Sequence, residues 1–318
     1  MSIDHAEQVT YRTSTVTTSD GAPFPLVSVV IPVYNAAATL GQQLASLAIQ
    51  DYPHDWEIVV ADNGSTDASV LVAEAFLDSI PSLRVVDASA RRGPGYARNF
   101  GTRAARGDVI LYLDADDEAE PGYVRRMVDS ATQHGLVGAH RETRTLQWYR
   151  AGSPPRASEV SIGTHAIQAK TFPFLPWAFG GGCGIARDAF EAIGGWSEVH
   201  TRAGGEDVDF CWRAQLAGYT MGFAPGALVH YRQRAGVWTR MRQQFTYGAC
   251  APDVYLRFRD RGARPRSARV VIGTVAKLVV AAPLQPWRSA ERREAWAGAL
   301  SAQAGRVWGS VRHRCLYL

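Results

Sequence analysis

The chain has 318 residues, 46% of them hydrophobic and 20% charged, a balance that suits one sizeable globular domain with a tail. Its net charge of +4 is unevenly spread: residues 257–318 hold 13 Lys+Arg against 3 Asp+Glu, a net +10, and the remainder holds 21 against 27, a net −6. An acidic body with a basic tail points to an anionic surface as the tail's partner, and the lack of an aromatic–basic platform or reading motif argues against nucleic acid. The four cysteines, Cys183, Cys211, Cys250 and Cys315, form no CxxC pair. They read as reduced thiols of a cytosolic protein rather than a zinc site or disulfide framework.

Residues 1–25 are polar, rich in Ser and Thr and without the apolar stretch of a secretory signal, so they are expected to be disordered. The run 26–32 (LVSVVIP) is continuous, apolar and β-branched, the pattern of a strand buried on both faces. A helical alternation follows over 39–48, then a second strand over 56–61, a helix over 67–77, a third strand over 83–86, a helix over 96–105 and a fourth strand over 109–113 (VILYL). Such alternation implies right-handed crossovers and a mostly parallel, Rossmann-like sheet flanked by helices, with ligands beyond the carboxyl ends of the strands. Those ends carry Tyr34 and Asn35, Asp62 and Asn63, and Asp114 and Asp116. The stretch 136–177 mixes short strands with loops. Helices are expected over 187–193 and 208–216, and short strands over 220–224 and 228–231. The tail from 257 on is basic and helical in pattern, with Trp296, Leu300, Val307 and Val311 near one helical face, so it suits either a membrane surface or packing on the body. The longest apolar run, 270–284, is 15 residues and contains Lys277; about 20 residues are needed to span a bilayer.

Four features carry chemistry. Asp114-Ala115-Asp116-Asp117-Glu118 gathers acids at a strand end. Extended backbone turns i and i+2 to one side, so Asp114 and Asp116 can converge, and their hard oxygens suit Mg²⁺ or Mn²⁺. A solvated acidic turn would look similar. Gly205-Glu206-Asp207 opens a helix; these acids either answer the helix dipole or supply a general base. Gly180-Gly181-Gly182-Cys183-Gly184 permits close backbone approach. His230 follows an expected strand. The segment Gly93-Pro94-Gly95-Tyr96-Ala97-Arg98 fails as a dinucleotide fingerprint, because it does not follow the first strand and Arg98 stands where the third glycine belongs.

Taken together, these blocks resemble family-two glycosyltransferases, whose fold is called GT-A. The resemblance covers 27–231. It rests on VSVVIPVYNA, on VVADNGSTD (with Asn63 where a second Asp is more usual), on GYARNFGTRAARGDVILYLDADDE, and on GIARDAFEAIGGWSE and GEDVDFCWRAQLAGY, all in the family's order. It implies a GT-A domain over 26–256, a basic helical tail over 257–318, and inverting transfer of a sugar from a nucleotide-diphosphate sugar, UDP first among the nucleotides. Pro32, Tyr34, Asn35, Asp62, Arg98 and Asp114 are then expected at the nucleotide-sugar. Asp116 and His230 are expected at Mn²⁺ or Mg²⁺, and Asp207 as catalytic base. Gly181, Gly182, Trp196 and Glu206 are expected on the acceptor side. The acceptor would be a saccharide, a lipid-linked intermediate or a small molecule. The place implied is the cytoplasm, peripheral on the inner face of a membrane. Processive members carry Gln-x-x-Arg-Trp; Gln233 and Trp238 are wrongly spaced for it, so transfer of one or a few sugars is expected. The competing readings are a nucleotidyltransferase, which should carry a basic Gly-rich loop where Pro32-Val33-Tyr34-Asn35 stands, and an inactive transferase-like binding protein, which should have lost Asp114, Asp116 and Asp207.

Overall fold

The computed structural model describes residues 24–143, 145–146, 172–199, 204–234 and 236–317, except the side chain of Glu291. The expected disorder of the N-terminal segment and the loops over 147–171 fall almost wholly outside these residues.

Four parallel strands open the chain: β1 (Val27–Val33), β2 (Trp56–Asp62), β3 (Leu83–Asp87) and β4 (Val109–Leu113). Their bounds match the apolar runs to within a residue. They join β5 (Glu118–Ala119), β6 (Leu136–Glu142), β7 (Gly182–Ala186) and β8 (Met221–His230) in one sheet of order β3-β2-β1-β4-β7-β6-β8-β5. β7 runs antiparallel to both β4 and β6, and β8 is parallel to β6. The two strands expected over 220–224 and 228–231 are one. Pro225-Gly226 reads as a break in the sequence, but the chain passes through it with Gly226 at φ +74° while the register against β6 shifts between Gly138 and His140.

Helices cover both faces: α1 (Leu40–Ala48), α2 (Ser69–Glu74), α3 (Pro94–Ala104), α4 (Tyr123–Ala131), α5 (Arg187–Ala192) and α6 (Glu206–Leu216). The helix expected over 67–77 is confined to Ser69–Glu74, and the Asp67 carboxylate takes the Ser69 N–H at 3.0 Å at its start. One apolar layer holds Val29, Ile31, Ile58, Val60 and Leu111 with α1 and α4; the other holds Val30, Val59, Ile110 and Tyr112 with Phe210 and Trp212 of α6. Successive residues of one strand feed opposite layers, which is why β1, β2 and β4 are apolar at nearly every position.

Three further helices follow: α7 (Val237–Phe258), α8 (Ala268–Ala281) and α9 (Ala290–Arg312). α7 runs unbroken through 256/257, where the charge changes sign. α9 packs along α7 so closely that a Cβ on Gly248 or Gly305 would meet the opposite backbone, Ala302 O and Phe245 O respectively. Meanwhile Leu300, Val307 and Val311 of α9 face outward, so packing on the body and an exposed apolar stripe coexist. α8 buries no residue. With the 3₁₀ turn Ala282–Trp287 it makes a 20-residue segment of mean hydropathy 1.4. By length and composition it is the one helix among the described residues able to cross a membrane.

Candidate active site

The turn after β4 brings Asp114, Asp116 and Asp117 together, their carboxylate oxygens within 4.8 Å of one another. Burial, and then Asp114, push Asp116 up to about 6; Arg234 and Arg232 oppose the shift. Burial, and then Asp116 and Asp114, push the fully buried Asp117 well above the usual range. Asp117 Oδ1 accepts the Arg232 N–H at 2.8 Å, and its Oδ2 has no partner. Crowded, buried carboxylates with an unused oxygen suit a hard divalent cation, which would relieve their repulsion. Asp117 was not among the expected ligands, because alternation along an extended strand turns it away from Asp114 and Asp116; the chain turns here, so alternation does not apply.

His230 is not one of the three clustered residues. Its Nε2 meets Glu120 Oε1 at 2.9 Å and its Nδ1 meets Glu142 Oε2 at 3.2 Å. Both nitrogens are therefore engaged by carboxylates, and the acid cluster gathers three aspartates without it. The cause is the pairing of Glu118 with His230 across β5 and β8, which carries the ring past the turn.

Arg98 of α3 links the two acid groups. It is 4% exposed. Its Nη2 donates to Asp114 Oδ1 at 2.8 Å, Nη1 lies 3.7 Å from Glu206 Oε1, and the guanidinium sits 4.7 Å above the Trp196 ring. Burial works against its charge, but Asp114 and Glu206 outweigh it and hold the guanidinium above its ordinary value. Trp196 is 2% exposed and stacked on Phe210 with ring centroids 4.0 Å apart. It is thus a floor beneath Arg98, not an open acceptor-facing surface. The glycine run closes the same spot: a Cβ on Gly181 would lie 2.5 Å from Asp114 Oδ2, and one on Gly182 would strike the Phe179 ring. Both glycines make room for the site's other side chains.

Glu206 and Asp207 begin α6. Glu206 is buried and accepts the Gly204 N–H. Asp207 accepts the Val208 N–H at 2.9 Å, and burial followed by Glu206 raises its pKa to about 7. Asp207, Glu206, Arg98, Asp114 and Gly180 share one cavity of about 380 Å³. Gln243, Gln244 and Tyr247 of α7 and Arg306 of α9 form another part of its wall. No signal marked Arg306, because distant helices meet the sheet only in three dimensions.

Pro32, Tyr34, Asn35 and Asp62, expected at the nucleotide, lie at the ends of β1 and β2. Pro32 pairs with Ala61. Tyr34 is 53% exposed under the Arg92 guanidinium, 4.5 Å from its ring centre. Asn35, at φ +50°, accepts the Thr66 N–H at 2.7 Å. Asp62 accepts the N–H groups of Gly64 and Ser65 at 3.2 Å. Asn63 is buried; it donates to Ala88 O and Arg91 O and accepts from Gly93 N, so it pins the loop leading into α3.

The family model described as Glycosyl transferase family 2 matches residues 28–194, and one described as the N-terminal domain of galactosyltransferase matches 165–234. Glycosyltransferase AglE of Haloferax volcanii is 30% identical over 209 residues, 63% of this chain and 64% of that protein. Validoxylamine A glucosyltransferase of Streptomyces hygroscopicus subsp. limoneus is 28% identical over 229 residues, 62% of this chain and 49% of that protein. The chain thus spans from about half to just under two-thirds of these relatives. Among solved structures, the mannosyltransferase PcManGT of Pyrobaculum calidifontis, in complex with GDP-Man and Mn²⁺, has a TM-score of 0.57 at 21% identity, over 90% of this chain and 88% of that one. S. aureus TarS 1-349 in complex with UDP-GlcNAc has a TM-score of 0.51 at 16% identity, over 92% and 93%. At these identities the likeness is one of fold, and the fold is GT-A.

Proposed function

The chain belongs to glycosyl transferase family 2, and from that premise we propose that it moves a sugar from a nucleotide-diphosphate sugar to an acceptor hydroxyl by metal-dependent single displacement with inversion. The observation that carries this reading is the shared cavity in which Arg98 joins Asp114, at the acid cluster, to Glu206 beside Asp207.

In this reading Pro32, Tyr34, Asn35 and Asp62 receive the nucleotide, UDP first by the family resemblance, with GDP-Man and UDP-GlcNAc the ligands of two fold neighbours. Asp114, Asp116 and Asp117 would hold Mn²⁺ or Mg²⁺, which supplies charge stabilisation to the departing diphosphate. Arg98 positions Asp114 and, through Glu206, holds a negative charge beside Asp207. That charge and burial leave Asp207 with a pKa near 7, so it can take the acceptor's proton at neutral pH. With one base at the cavity and no covalent nucleophile assigned, a single displacement follows, hence inversion. Glu206 shapes the acceptor's end of the cavity, while Gly181 and Gly182 make room for Asp114 and Phe179. The setting is envelope-glycan, glycolipid or natural-product synthesis at the inner face of a membrane. The exposed apolar α8, flanked by arginines, supports membrane contact, and the four free cysteines support a reducing compartment.

The test is binding and hydrolysis of a nucleotide-sugar panel with and without Mn²⁺. One donor should bind with metal. Asp116→Ala should abolish that binding, while Asp207→Asn should keep it and lose turnover by about a thousandfold, the scale of a lost general base. Retention of configuration in the product would refute the single displacement.

A further inference from the structure

Among the described residues, one cation lining the cavity meets no carboxylate. Arg306 of α9 lines its wall, and its Nη1 donates to Gln303 Oε1. Arg266 Nη1 donates to the same oxygen at 3.3 Å. The Nε of both arginines is buried without a partner, and among the described residues neither guanidinium pairs with a carboxylate. Acids on α7 and α9 are engaged by other arginines: Glu294 with Arg240 at 2.7 Å, and Asp253 with Arg257 at 3.0 Å. Two guanidiniums that share one neutral amide oxygen repel each other, and burial followed by Arg266 draws Arg306 below its ordinary value. Such an arrangement is stabilised by an anion.

Of the other cavity arginines, Arg240 pairs with Glu294 and the remaining three have tasks at the donor end. Arg98 meets Asp114 and Glu206, Arg234 bears on Asp116, and Arg141 bears on Asp117 while lying over the Phe179 and Tyr231 rings. Arg306 bears on none of the clustered aspartates. Its electrostatic neighbours include Arg266 and Cys250. The Cys250 thiol lies 3.3 Å from where a Cβ on Gly205 would be, immediately before Glu206 and Asp207. Arg306 therefore stands on the side of the base, where the acceptor enters.

We propose that Arg306, backed by Arg266, is a phosphoryl subsite for the acceptor, so that the accepted substrate carries a phosphate or pyrophosphate group. This deepens the glycosyl-transfer reading and rests on it. Two adjacent positive charges match a phosphate dianion better than a single carboxylate, and the guanidinium fork binds phosphate oxygens in pairs. The group could belong to a lipid-linked or a soluble acceptor.

The experiment titrates inorganic phosphate into the metal-free full chain in EDTA by calorimetry. Wild type should bind. Arg306→Gln should weaken binding at least tenfold, Arg266→Gln should weaken it too, and Arg306→Lys should retain part of it; all three should keep the wild-type circular dichroism spectrum. Arg103→Gln, an exposed change on α3, should leave binding unchanged. Equal affinity in wild type, Arg306→Gln and Arg266→Gln overturns the subsite, as does no binding by wild type. Bound phosphate is then displaced with glucose 1-phosphate or with a short-chain polyprenyl pyrophosphate in detergent. Displacement at the lower concentration by one of them identifies the soluble or the lipid source, and displacement by neither overturns the acceptor assignment. Wild-type hydrolysis of a nucleotide-sugar in Mn²⁺ without acceptor reports separately on the transferase reading. Hydrolysis without phosphate binding removes the subsite alone, and phosphate binding through Arg306 with no nucleotide-sugar bound removes the transferase reading and the acceptor role with it, leaving a phosphate site.

Discussion

Asp207 shows how few groups set the working pH. Burial and Glu206 hold it near 7, and a base works only when deprotonated. Turnover should therefore rise with pH through about 7 and level off above it; a flat profile from pH 5 to 9 in a stopped assay of nucleotide release would remove Asp207 from that role. Asp116 gives the opposite sign for stability. Its pKa is raised from 3.8 to about 6 in the folded chain, so the folded state keeps a proton that the unfolded chain has already lost in that window. Metal-free protein should lose stability as pH rises from about 4 to 6 and stay at the lower level above. Mn²⁺ should raise the melting temperature more at pH 7.5 than at pH 5, and an equal rise at both would contradict carboxylate ligation. Arg98 is buried between two acids, so Arg98→Met leaves Asp114 and Glu206 uncompensated. A loss of about 3 kcal/mol in urea unfolding is expected, and Arg98→Lys should recover only part of it.

At the scale of elements, the strand ends and helix starts do the positioning. β4 ends at the acid cluster, β7 threads glycines past Asp114, and α6 begins with Glu206 and Asp207. These places were legible because strand ends of an α/β sheet are where polar residues interrupt apolar runs. His230 was not, since its surroundings depend on β5 and β8 pairing across more than a hundred residues. Nor was Asp117, whose direction is set by a turn. The α7–α9 contact is equally invisible in sequence and has its own consequence. Gly305→Val would force the Phe245 carbonyl away, and overpacking of this kind costs about 1–3 kcal/mol. A lowered urea midpoint should accompany weaker nucleotide-sugar turnover, because α7 and α9 also wall the cavity.

Over the whole molecule, charge and apolar surface divide the protein into an acidic catalytic body and a basic, partly apolar flank. α8 exposes Ile272, Val279 and Val280 at 67%, 66% and 69%, and the 3₁₀ turn after it exposes Trp287 at 82%. No acid occurs from Arg261 to Ala290, and six Lys+Arg do. A surface of that kind should bind anionic vesicles. Wild type should co-sediment with phosphatidylglycerol vesicles and less with neutral ones, and Ile272→Asp with Val279→Asp should weaken binding at least tenfold, each charge costing about 2.5 kcal/mol at depth. Unchanged sedimentation of the double variant would place the contact elsewhere.

What the sequence determined by itself was local: the apolar period that makes each parallel strand, the order of the β/α units, the acid-rich turn after β4 and the charge break near residue 257. Those signals are short-range, because side-chain alternation and composition act over a few residues. Tertiary structure alone decided which distant groups share the cavity. Arg98 reached Glu206 across more than a hundred residues, Trp196 became the floor beneath it, and Arg306 came to the cavity through a helix pair. Such meetings are set by which faces must be buried against each other, and that is a property of the packed whole.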